Sequence, residues 1–105
     1  MAWLCLVAAG VLEIGWAVGL KYTEGFSRPL PTAVTVAAMA LSLALLGLAV
    51  RSLPVGTAYA VWTGIGTVGT VLLGMLLFGE SAEPLRLVVI TMIVAGVVGL
   101  KLVTP

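Results

Sequence analysis

The sequence predicts an all-α membrane protein, a four-transmembrane-helix bundle assembling as an antiparallel, dual-topology dimer. Three observations carry this expectation. Of 105 residues, 62% are hydrophobic and 9% charged, against about 25% charged in a soluble domain. The apolar residues fall into four runs, approximately 2–20, 30–50, 55–78 and 85–103, each near the roughly 20 residues that cross a bilayer core. The five basic residues are almost evenly divided between the two membrane faces. Residues 1–105 are expected to form one domain, because the connections are short enough to join antiparallel neighbours.

Each run must be helical, since an open strand would leave backbone groups unpaired in lipid. The alternation that a membrane barrel needs is absent. All five prolines lie outside or at the ends of the runs: Pro29, Pro31, Pro54, Pro84 and Pro105. Proline is tolerated at a helix start and disrupts an interior.

The first run carries the one acid at membrane depth, Glu13 in G-V-L-E-I-G-W-A. A carboxylate at a membrane helix centre costs about 2.5–3.5 kcal/mol on insertion scales, so it marks a functional site by default. Residues three and four apart share a helix face, which places Ala9, Gly10, Trp16 and Ala17 beside Glu13. Trp16 lies too deep for the interfacial belt, which Trp3 fits better. Its indole can donate to Glu13 or face a cation, or it simply fills a gap between helices. A secretory signal is not expected, because no basic residue precedes the run and Glu13 interrupts it.

The second run has one mid-span polar residue, Ser42. Its hydroxyl either bonds its own i−4 carbonyl or reaches Glu13. Met39, one turn earlier, is an adaptable wall and a candidate portal toward lipid. The third run sets Tyr59, Trp62 and Thr63 on one stripe, followed by Gly64, Gly66 and Gly69. Gly64 and Gly66 are a candidate hinge; close packing of a small-residue face is the alternative. The fourth run repeats Thr91, Ala95 and Gly99 with Gly96 alongside, a surface suited to helix pairing. Lys101 can snorkel to the interface. Glu24, Glu80 and Glu83 read as solvated loop charges.

Composition excludes several classes. The net charge of +1 lacks the basic clustering that nucleic acid requires. There is no histidine and one cysteine, Cys5, which removes most metal sites and nucleophile–histidine pairs from consideration; the chain is read as a non-enzyme with no catalytic residue, metal or cofactor. One terminal face carries Arg51 and Lys101, the other face Lys21, Arg28 and Arg86. This near balance gives almost no orientation signal, hence the expectation of insertion both ways.

A solitary carboxylate in lipid can hold a proton or a cation but poorly both, because burial disfavours its charged form and a cation restores it. That competition is the minimum for exchange. Four helices are too few to enclose a pathway and alternate access. An antiparallel pair would mimic the inverted repeats of larger transporters.

The stretches M-A-W-L, L-E-I-G-W-A-V-G-L-K-Y-T-E-G-F, L-P-V-G-T-A-Y-A-V-W-T-G-I-G and G-V-V-G-L-K resemble the small multidrug resistance family of proton-coupled exporters, nearly end to end. Within it the chain is more similar to the guanidinium exporters than to the quaternary ammonium exporters, on Trp16 after Glu13 and Thr63 after Trp62. The resemblance implies an antiparallel homodimer in the bacterial inner membrane. It implies that Glu13 of both subunits binds substrate and protons alternately. It implies that Trp16, Ser42, Tyr59 and Trp62 form a hydrogen-bonding surround, with Gly10 leaving room above the carboxylate. The expected partners are a guanidinium or substituted guanidinium cation, protons, lipid and a second copy. The alternatives are a broad exporter of quaternary ammonium or hydrophobic cations and a non-transporting membrane interaction subunit.

Overall fold

The computed structural model describes residues 1–104. Among them the element order is α1 (Ala2–Tyr22), α2 (Pro29–Ala49), α3 (Val55–Phe78) and α4 (Pro84–Val103). All four are long and apolar enough to cross a membrane. Pro29 and Pro84 occupy first-turn positions of α2 and α4, where a missing N–H costs no intrahelical bond. α3 ends on Gly79 in the left-handed conformation (φ 65°), which glycine adopts without a Cβ clash. The α1–α2 turn needs three successive positive-φ residues, Glu24, Gly25 and Phe26. Thr23 holds that turn: its hydroxyl donates to Leu20 O at 2.8 Å and accepts from Phe26 N–H at 3.2 Å.

The helices do not close around a common axis. The chain is a slab of 43 × 35 × 16 Å. α1 lies between α2 and α3, while α4 packs its backbone against α3 alone. The four expected helices are all present, in a flattened bundle. The physical reason lies in the solvent: apolar side chains facing lipid incur no hydrophobic penalty, so they need no shared core. What core there is sits where α1, α2 and α3 converge near one membrane face, around Leu6, Ala9, Ala49, Ala58, Val61 and Trp62. Lys101 at the end of α4 reaches back to Trp3, its Nζ 4.9 Å from the ring centroid. This places both at the interface, as their chemistry predicts.

α1 and α3 approach closely because each notches the other with glycine. A β-carbon at Gly10 would lie 2.8 Å from Ile65 Cβ. One at Gly69 would collide with Ile14. α3 also receives Val97 of α4 at Gly64. The helix runs unbroken through Gly64 and Gly66, and both glycines are taken up by packing partners.

Candidate functional site

Glu13 sits near the middle of α1 and leans onto α3. A β-carbon at Gly66 would clash with its carboxyl carbon and fall 2.6 Å from Oε2 and 2.7 Å from Cγ. Gly66 is therefore the seat of the carboxylate. Only a residue without a side chain lets this acid lie flat against the α3 backbone. Oε1 is buried and has no hydrogen-bond partner among the described residues. The Trp16 indole N–H, on the same face of α1, is buried and unpartnered too. The expected Trp16–Glu13 hydrogen bond is thus not made within the subunit.

Ser42 takes neither of its two expected partners. Its hydroxyl donates to Ala9 O of α1 at 2.6 Å and accepts from the Trp62 indole N–H of α3 at 3.0 Å. The one hydroxyl proton cannot also serve Glu13. Ser42 and Ala9 are fully buried and Trp62 nearly so, and this three-helix clasp joins α1, α2 and α3. In an α-helix the carbonyl of residue i−4 accepts the N–H of residue i, so Ala9 O belongs to the turn that carries Glu13. Ser42 anchors that turn instead of touching the acid.

Tyr59 and Trp62 form the expected pair, ring centroids 5.6 Å apart and planes tilted by 56°. Their environments differ: Trp62 is 8% exposed and Tyr59 58%. Tyr59 makes no hydrogen bond to Glu13 among the described residues, because it lies on the open side of α3. Gly10 lies against Ile65 of α3. Met39 is half-buried on α2. An apolar cavity of about 270 Å³ between α3 and α4 is lined by Val68, Val94, Val97 and Ile14, the residue after Glu13.

Sequence reasoning did not single out Gly66 and Gly69 as receptors for α1 side chains, nor Glu80. Glu80 is no simple solvated charge. Its carboxyl packs over Gly74, where a β-carbon would lie 2.8 Å from Cδ, and Oε1 accepts from Arg86 Nη2 at 3.0 Å. The signal available was spacing: a glycine-ended helix folds the residue after its cap back over the last turn.

A row of membrane-crossing helices with an acid seated at mid-span against a neighbouring backbone defines an all-helical, multi-pass membrane protein with a buried ionisable site. The chain belongs to the small multidrug resistance protein family, whose model matches residues 1–93. It is 62% identical over 104 residues, 99% of both chains, to proteins named guanidinium exporter in Escherichia coli (strain K12) and Shigella flexneri. A protein of the same name in Salmonella typhimurium is 60% identical over 99% of both chains. With such relatives and its four spans, it is a multi-pass protein of the bacterial inner membrane.

Proposed function

We propose that the protein exports guanidinium cations in exchange for protons, with the two competing for Glu13 in both subunits of an antiparallel homodimer. The observation that carries this reading is the Glu13 carboxyl on Gly66, with a buried oxygen that no group of the described chain satisfies. A buried, unpaired carboxylate is costly. A proton removes the charge; a cation pairs it. Guanidinium suits the second role because it is planar and donates paired hydrogen bonds to a carboxylate. The name shared by relatives at 60–62% identity supports the substrate.

Around the carboxylate, Trp16 offers a free indole N–H and a ring face, and Tyr59 offers a hydroxyl on the open side of α3. Trp62 contributes its ring, its N–H being engaged by Ser42. A second copy facing this side would bring another set of these groups to the cation. It would also bring the second Glu13, so that proton release belongs to the pair. Gly64 and Gly66 let α3 pivot between the two access states, and the half-buried Met39 faces a lipid-side portal. A wider range, including hydrophobic or quaternary ammonium cations, is favoured by the apolar cavity beside Ile14, which can take a substituent.

The test is substrate-driven current in proteoliposomes, with guanidinium and a quaternary ammonium ion side by side across pH. Guanidinium current that disappears in Glu13→Gln is expected. Current with bulky ammonium ions alone selects the wider reading. Silence with both, from well-folded assembled protein, returns the chain to the class of non-transporting interaction subunits.

A further inference from the structure

A second hollow lies along the α1–α3 contact, toward the membrane face on which α1 and α3 both end. One turn beyond Glu13, on the same α1 face, begins a cavity of about 180 Å³ lined by Ala17, Lys21, Thr70, Gly74, Phe78 and Glu80. It has room for several water-sized groups, each about 30 Å³. Its chemistry is unusual for this chain. Glu80 supplies a carboxylate, held in place by the notch at Gly74. Phe78 supplies a ring face, and the Thr70 hydroxyl is buried without a partner among the described residues. Two of the chain's own cations already use these groups. The Lys21 ammonium stands 5.3 Å from the Phe78 ring centroid, and the Arg86 guanidinium bonds Glu80 Oε1 at 3.0 Å.

The geometry points to this mouth as a second, weaker cation station, where a guanidinium ion replaces the Arg86 side chain on Glu80 on its way to or from Glu13. The inference rests on the guanidinium reading of the Glu13 site and adds a waypoint to it. Arg86 is a tethered copy of the cargo: the same planar fork of donors, on the same acceptor. A short tether sets an effective concentration of about millimolar, so free guanidinium displaces it only briefly. The pair is also open to water, with Arg86 and Glu80 side chains 34% and 45% exposed, and exposed ion pairs are easily exchanged. A station that releases readily suits a passage, whereas a tight site would trap the ion. Lys21 on Phe78 keeps the mouth from accumulating cations.

The test compares two variants that a merely structural ion pair would treat alike. Glu80→Gln removes the acceptor, and Arg86→Gln removes the competitor. Initial guanidinium uptake by proteoliposomes is measured against concentration. The expected result is opposite in sign: KM rises about two- to fivefold in Glu80→Gln and falls by a similar factor in Arg86→Gln. Shifts in the same direction, or no shift in either, overturn the inference. If a glutamine variant does not elute as assembled protein, Glu80→Asp and Arg86→Lys replace the pair, with the same opposed signs required. Wild-type protein that carries no guanidinium refutes the transport reading itself, an outcome separate from any of these.

Discussion

α1 and α4 match in length and apolar character, yet they are used in opposite ways. α1 is flanked on both sides, by α2 and α3, and three polar features of the interior meet it: Glu13 on Gly66, Ser42 on Ala9, Thr35 against Gly19. α4 packs its backbone against α3 alone, and Ile90 is its single buried residue. Around Gly96 and Gly99 there is open space. The difference teaches what holds a membrane helix in place. Apolarity puts both helices in the bilayer, but only notches and hydrogen bonds choose a neighbour, since lipid competes evenly for every apolar contact. α4 keeps its small-residue face free for lipid or for another subunit.

The sharpest way to break this contrast is at the acid. Glu13→Gln is expected to reduce coupled guanidinium current to background while the protein still elutes as assembled. Retained coupling in that variant would end the account. The pH response follows with the same sign in every assay. Protons bound to Glu13 remove the charge that a cation needs, so guanidinium binding weakens as pH falls and recovers as it rises. Titration of bound guanidinium by calorimetry from acid to alkaline pH checks it.

Next comes a matched pair of glycine substitutions. Gly66→Ala drives a methyl into the Glu13 carboxyl, and overpacking of this kind costs about 1–3 kcal/mol. It is expected to lower transport about tenfold or more, since 1.4 kcal/mol is a factor of about ten. Gly96→Ala meets nothing within the subunit and removes a residue about 1 kcal/mol less favourable to helix than alanine. Thermal unfolding in detergent should show it unchanged or slightly stabilised. Dissociation of assembled protein by that same substitution would show that the open face of α4 meets a second copy.

A smaller effect is expected at the clasp. Ser42→Ala removes the bond to Ala9 O and orphans the Trp62 indole. Polar contacts inside membrane proteins average about 0.6 kcal/mol, so a loss of about 0.5–1.5 kcal/mol is expected. Chemical unfolding in mixed micelles reads it, together with a modest rise in KM as the Glu13 turn loosens. The smallest effect is expected at Trp16→Phe. No intrachain hydrogen bond is lost there, so stability should hold, while guanidinium affinity should fall if the free N–H serves the bound ion or the acid.

Much of the fold was legible in the linear chain. Helix limits agree within one or two residues, because proline, glycine and charge mark where lipid ends. The place of Glu13 as the one acid among apolar residues was legible too, and the cost of such a group in lipid is what singles it out. The partners of Ser42 were not. A serine at mid-span can bond up, down or across, and the choice of Ala9 O depends on how closely α1 and α2 approach.

The sequence by itself determined the solvent, the number of candidate crossings and the single acid inside them, because transfer into lipid is set residue by residue along each run. The tertiary structure alone decided that Gly66 cradles the acid, that Ser42 ties three helices, and that Glu80 folds over Gly74 to meet Arg86. Those outcomes rest on distances of a few ångströms between helices, and no pattern of residues along one helix encodes the depth at which another will settle against it.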